Sequence, residues 1–269
     1  MATVRLDQKG RALTRAIPSS FDQAIAKFFG TGPTDLDQAK AQHLAYREAL
    51  LNAGVEVTVL PSDDQLPDSI FVEDQAVVID GHVLLPVPGH PSRVPEQPPI
   101  AEFVTRQLSG TQVCRMHGEA RMDGGDIIRL GDLFFVGRSS RTNDVGIEEL
   151  RDLLTYLGHE LRVVEIPADA LHLTSISSTP TDSVILAPEG YLPEEAFGEL
   201  PEGCEVRWMP KEEAYGCNTI GLPNGQVLVA DGYPAVLDAI KSLGLEPVVL
   251  DMSQIRAADG SLTCCSLFY

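Results

Sequence analysis

The sequence predicts a single α/β domain over residues 1–269, built as a five-bladed α/β propeller from repeated units. Two observations predict it. Helix-like and strand-like segments alternate almost throughout the chain. The units also recur at a spacing of roughly 42 to 56 residues, a period typical of propellers and solenoids. About five such units favour radial closure, which hides strand edges. A doubly wound α/β sheet is the alternative architecture.

The elements follow in order. Residues 36–53 read as a helix closed by Gly54, and 55–61 as a strand. Residues 100–108 read as a helix and 111–117 as a strand. Residues 147–157, capped by Gly158, precede a strand at 161–167. A shorter helix at 194–200 precedes a strand at 204–210, and 235–243, capped by Gly244, precedes 246–252. A second strand set lies at 83–87, 133–136, 183–187 and 226–230, each soon followed by Gly or Pro. The last four units therefore repeat hairpin, helix, strand. The Pro-rich stretch 86–99 reads as a loop, and no linker or domain boundary stands out.

Acidic residues outnumber basic ones 39 to 20, for a formal charge of −19. That field repels nucleic acid and anionic lipid, so neither is expected as a partner, and a small cationic ligand is favoured. No apolar run approaches a membrane span, and the first residues carry no apolar signal core, so a cytoplasmic location is expected. Cysteine occurs five times without metal-ligand spacing, so neither a disulfide framework nor a metal site is expected. No glycine-rich phosphate loop follows a strand, so no cofactor is expected. Monomer and homodimer both remain open.

Four places hold polar residues in apolar or turn-like settings. In 67–74, Asp68, Glu73 and Asp74 lie on and around a short apolar strand. Adjacent buried carboxylates repel unless a cation intervenes, and a planar guanidinium would serve both. In 122–126, two glycines beside Asp123 let backbone approach a ligand closely. His172 lies between two leucines, a setting for a core residue or a general acid–base. Cys264 and Cys265 are adjacent in an apolar segment, so on a strand one would face a cavity while the other packs. Among the scarce basic residues, Arg93 and Arg141 follow strand–turn breaks, where either could clamp a carboxylate.

Taken together, these places resemble the dimethylarginine dimethylaminohydrolase family, of the pentein fold. The similarity runs from about residue 11 to 268. It rests on Arg-Ala-Ile-Pro (15–18), Pro-Asp-Ser-Ile-Phe-Val-Glu-Asp (67–74) and Pro-Gly-His-Pro-Ser-Arg (88–93). Further matches are Asp-Gly-Gly-Asp (123–126), Phe-Phe-Val-Gly-Arg-Ser-Ser-Arg-Thr-Asn (134–143), Leu-His-Leu (171–173), Asn218 and Asp-Gly-Ser-Leu-Thr-Cys-Cys-Ser (259–266).

The resemblance implies a five-bladed pentein and hydrolysis of N-ω-methylated arginines to citrulline and an amine, with no cofactor. It implies Cys264 as nucleophile, His172 as general acid and base, and Asp123 as the carboxylate orienting it. Asp68, Glu73 and Asp74 would hold the cationic end and amino group of the substrate. Arg93 and Arg141 would bind its α-carboxylate, while Ile17 and Ala258 would contribute backbone contacts. Asp at 123 is shorter than the Glu of some relatives. Arginine deiminases, cousins that stand as the alternative activity, place an Asp two residues after the histidine, where this chain has Thr174.

Overall fold

The structure is a computed structural model that describes residues 5–108 and 112–269. In the first unit, β1 (Arg11–Arg15) and β2 (Glu56–Leu60) run parallel, joined across α1 (Leu36–Asn52). The second has a hairpin of β3 (Val77–Ile79) and β4 (His82–Leu85), then α2 (Gln97–Gln107), then β5 (Gln112–Arg115) parallel to β4. The third repeats this with β6 (Ile127–Leu130), β7 (Leu133–Arg138), α3 (Asp144–Tyr156) and β8 (Glu160–Glu165).

The fourth starts with α4 (Leu173–Ile176), followed by β9 (Ser178–Thr181), β10 (Val184–Pro188) and β11 (Glu205–Met209). The fifth contains β12 (Ile220–Gly221), β13 (Gln226–Ala230), α5 (Pro234–Ser242) and β14 (Glu246–Leu250). After α6 (Ser253–Ala257), β15 (Leu267–Phe268) returns to pair with β1. Among the described residues the strands form five separate three-stranded sheets.

Local chemistry explains the boundaries. Asp35 caps α1 by accepting from the Gln38 amide at 2.9 Å, and Gly54 ends it at φ +85°. Asn143 likewise accepts from Gly146, so α3 starts earlier than apolar periodicity alone predicts. The stretch 86–99 is not simply a loop. It holds a 3-10 helix, Pro91–Glu96, and the first turn of α2, where Pro98 and Pro99 need no amide donor. The expected helix at 194–200 is a series of turns instead. Gly198 adopts φ +63°, and buried Phe197 is pinned edge-on to Phe135 with ring centroids 5.3 Å apart.

A short helical turn precedes the first strand of each sheet in the last four units, and another precedes β15. These turns are Val72–Gln75, Gly124–Asp126, α4, Lys211–Cys217 and Thr263–Cys265. The first touches both the second and the last; the second touches α4, and α4 touches Lys211–Cys217. Asn218 completes the circuit, donating to Thr263 Oγ1 at 2.9 Å and accepting from the Thr263 amide at 3.1 Å. Two sequence expectations change here. The apolar segment before Asp74 is a turn rather than a strand, and Cys264 and Cys265 lie on a 3-10 turn rather than a strand.

The circuit is tight enough to demand glycine. A Cβ at Gly124 would lie 2.2 Å from the Glu73 carbonyl oxygen, which is backbone and cannot swing aside. Gly124→Ala is expected to destabilise the fold by about 1–3 kcal/mol, read from the midpoint of denaturant unfolding.

Candidate active site

Two of the five turns place Asp74 and Cys264 on one small cleft, and His172 enters it from the residue before α4. It is lined by Asp68, Asp74, Arg93, Arg141, His172 and Cys264, with Ile25, Phe71, Leu171, Ala258, Asp259 and Gly260 around them. Its free volume is about 20 Å³, room for about one water. Three groups of the cleft thus come from chain positions nearly 200 residues apart.

His172 caps α4 and is almost fully buried. Its Nε2 lies 3.0 Å from Asp123 Oδ2, so the shorter aspartate still reaches the ring. Its Nδ1 lies 3.9 Å from Asp74 Oδ1 and has no hydrogen-bond partner. Gly125 permits this arrangement, because a Cβ there would sit 2.8 Å from both Nδ1 and Asp74 Oδ1. The glycines thus admit another part of the protein rather than a ligand. Burial works against the imidazolium, but Asp74, Asp126 and Asp123 outweigh it and raise the His172 pKa to about 9. Burial likewise opposes ionisation of Asp123, yet the His172 hydrogen bond and charge hold it below its ordinary value.

Cys264 is buried but opens on the cleft, with Ser261 Oγ 3.2 Å from its sulfur. Burial, reinforced by the anions of Glu73 and Asp74, pushes its thiol up to about 12. Cys265 points away, its sulfur donating to the Ser261 carbonyl at 3.5 Å. Glu73 stands behind the cleft and accepts from Thr263 Oγ1 at 2.9 Å.

The two arginines occupy different situations. Arg141 pairs with Asp123 at 3.2 Å. Arg93 sits inside the carboxylate cluster: it pairs with Asp74, donates to Glu96 from both Nε and Nη2, and donates to the Phe71 carbonyl at 2.8 Å. Most of its donors are therefore satisfied by the protein itself. Asp74, Asp123 and His172 also have ligand atoms within 4.8 Å of one another, close enough to hold a cation. Sequence spacing could not reveal this grouping, because the three residues come from three different turns.

Ile17 is a correction. It is buried in the apolar core and does not line the cleft; Ile25 does, donating its amide to Asp68 Oδ1 at 3.0 Å. After β1 the chain makes a 3-10 turn at Phe21–Gln23, and this carries residue 25, not 17, over the opening. Ala258 lines the cleft.

Four supporting residues were given no role by sequence reasoning, although three of them lie in the quoted motifs. Glu96 holds Arg93 one 3-10 turn away, an i,i+3 spacing that sequence does display. Asp126 accepts from Ser139 and Thr142 hydroxyls, both at 2.6 Å, and from the Leu173 amide at 3.0 Å. It thereby ties the Arg141 loop to the His172 turn, and burial raises its pKa to about 6. Asn218 also donates to the Thr174 carbonyl, joining the His172 and Cys264 turns. Ser261 contacts the Cys264 sulfur. Only their partners give these residues meaning.

The raised His172 pKa has a stability consequence. Its contribution is fully present below about pH 6.5 and is lost as pH rises through about 9. Lys9 has the opposite sign, since burial lowers its pKa to about 7 and its cost fades at higher pH. The test is therefore differential: the Tm advantage of the wild type over His172→Asn is expected to shrink between pH 6.5 and 9. A constant advantage would refute the ion-pair assignment.

Comparison with known proteins agrees with this geometry. A family model described as N,N dimethylarginine dimethylhydrolase, eukaryotic, matches residues 22–195. The chain is 33% identical to the N(G),N(G)-dimethylarginine dimethylaminohydrolase of Pseudomonas aeruginosa, over 88% of this chain and 90% of that protein. It is 31% identical to the enzyme of the same name from Streptomyces coelicolor, over 96% of each. A cysteine-to-serine mutant of the Pseudomonas aeruginosa protein, complexed with citrulline, superposes with TM-score 0.86 at 30% identity, covering 96% of this chain and 98% of that one. The N-terminal domain of ArgZ, a cyanobacterial arginine dihydrolase, shares the fold at 14% identity and TM-score 0.84, covering 96% of each chain. By sequence and by structure, this chain belongs to the dimethylarginine dimethylaminohydrolase family.

Proposed function

We propose that the protein hydrolyses N-ω-methylated arginines, releasing citrulline and methylamine or dimethylamine, as an amidinohydrolase with no cofactor. The observation that carries this reading is the charge imbalance of the cleft. Among the described residues, seven buried carboxylates, Asp68, Glu73, Asp74, Glu96, Asp123, Asp126 and Asp259, lie in or behind the cleft, against five buried cations: Arg93, Arg141 and His172, with Lys9 and Arg15 acting on Glu73 and Glu96 from behind. A flat guanidinium supplies the missing positive charge in a shape that two carboxylates can grip.

The chemistry follows from the resting state. At neutral pH Cys264 is a thiol and His172 an imidazolium. A substrate cation set between the sulfur and Glu73 and Asp74 offsets the burial and the anionic field that keep the thiol protonated, and the thiol proton leaves to solvent as the cation binds. The thiolate attacks the guanidinium carbon, forming a C–S bond. The C–N bond to the methylated nitrogen then breaks, and His172 gives its proton to the departing amine. An S-alkylthiouronium remains. Water adds to its carbon and His172 takes one water proton; the C–S bond then breaks as the remaining hydroxyl proton passes to the departing sulfur, which restores the thiol, and citrulline leaves. Asp123 orients the ring throughout, and fixing the cation removes orientational entropy from the barrier.

Asp68 is assigned to the substrate amino group, and Arg141 to its α-carboxylate. Arg93 contributes to that clamp from within the carboxylate cluster, and Ile25, rather than Ile17, takes the lid contact together with Ala258. The substrate is a small cationic amino acid. Radial closure of the five sheets into a five-bladed pentein propeller is part of the same proposal, supported by the circuit of contacts between the five turns. The protein works as a monomer or homodimer in the cytoplasm.

Purified protein incubated with asymmetric dimethylarginine is expected to yield citrulline and dimethylamine in equal amounts. Ammonia from free arginine at a higher kcat/KM would replace this reading with the deiminase. Cys264→Ser is expected to abolish turnover, while Cys265→Ser retains most of it. Equal loss in both would remove the nucleophile assignment.

A further inference from the structure

Asp259 is not among the groups assigned to the chemistry, yet it occupies an unusual position. It holds φ +59°, a left-handed backbone that side chains other than Asn, Asp and Gly rarely adopt. It stands one residue after Ala258 and two before Ser261, which touches the Cys264 sulfur. Its carboxylate accepts hydrogen bonds from three backbone amides of one distant segment: Lys27, Phe28 and Gly30. The Phe28 bond is 2.9 Å long to one oxygen and 3.1 Å to the other.

The same segment is shaped to receive it. A Cβ at Gly30 would lie 2.8 Å from Asp259 Oδ1 and 2.7 Å from the Ala257 carbonyl oxygen. The Gly32 amide also donates to that carbonyl at 3.1 Å. Five residues before Gly30, the Ile25 amide is held by Asp68. Residues 25–32 are thus fastened to two residues of the cleft wall, Asp68 and Asp259, and Ile25 itself lines the cleft, whose free volume is about 20 Å³. The cleft must widen to take an arginine side chain, and this strap contributes one of its walls through Ile25.

We infer that Asp259 is a positioning residue, a latch that holds the strap at 27–30 down against the segment carrying Cys264. It touches no reacting atom. It acts by reclosing the strap over a bound substrate, which excludes water from the thiol and histidine. The backbone requirement and the latch are served by one side chain. The functional consequence rests on the reading of the cleft as a methylarginine site, whereas the latch itself does not.

Asp259→Asn separates the two requirements, because Asn accepts the left-handed conformation but turns one acceptor oxygen into a donor facing amides. Hydrogen exchange of the Lys27, Phe28 and Gly30 amides in the ligand-free protein is expected to rise at least tenfold. Amides of α1 and α3 should stay unchanged. Gly30→Ala, which crowds the strap from the opposite side, should produce the same local increase without altering residue 259. With dimethylarginine, Asp259→Asn should raise KM about tenfold to a hundredfold, as expected for lost charge-assisted hydrogen bonds, while kcat falls less. Unchanged exchange at the three amides, or an equal rise across the whole fold, overturns the latch. Increased exchange with no turnover even in the wild type leaves the latch standing and refutes the substrate assignment instead.

Discussion

The site depends on burying more negative charge than its own cations can balance. An isolated carboxylate taken from water would protonate rather than stay ionised. Here Asp74 and Asp123 are kept in place by Arg93, Arg141 and His172, and Arg93 is in turn held by Glu96. Breaking a buried pair of this type by removing one partner typically costs about 3–5 kcal/mol, so each member constrains the others. Burial and the same network set the protonation states together: the carboxylates raise the His172 pKa to about 9 against its burial, and burial with Glu73 and Asp74 pushes the Cys264 thiol up to about 12.

Such a network can form only if backbone comes unusually close to backbone. Gly124 lies against the Glu73 carbonyl, Gly89 would place a Cβ 2.2 Å from the Arg141 carbonyl, and Gly260 would meet the Phe71 ring at the same distance. These contacts draw turns from separate sheets together. The polar links then fix their relative positions: Asp126 between the Arg141 loop and α4, Asn218 between α4 and the Cys264 turn, Thr263 between that turn and Glu73.

Local pattern made much of the fold legible. Capping residues and glycine stops marked the ends of α1, α3 and α5 closely. The strand at 226–230 matches β13 residue for residue. Where pattern misled, a tertiary contact decided: Phe197 against Phe135 holds 194–200 in turns, and the contacts among the five turns hold 67–74 and 264–265 out of strand geometry. The motif residues His172, Asp123 and Cys264 were recognisable because their neighbours in sequence are distinctive. Ile25 was not, because any residue can offer a backbone amide.

By itself, the sequence determined the alternation of helix and strand, the repeat, the acidic balance and the short motifs, since each is encoded within a dozen or so consecutive residues. The tertiary structure alone decided which motifs meet, which carboxylates each arginine pairs with, which residue of the strap lines the cleft and which carboxylates have their ionisation shifted. Those outcomes depend on distances between segments far apart in the chain, and on the loss of solvent when they close, neither of which is written in local order.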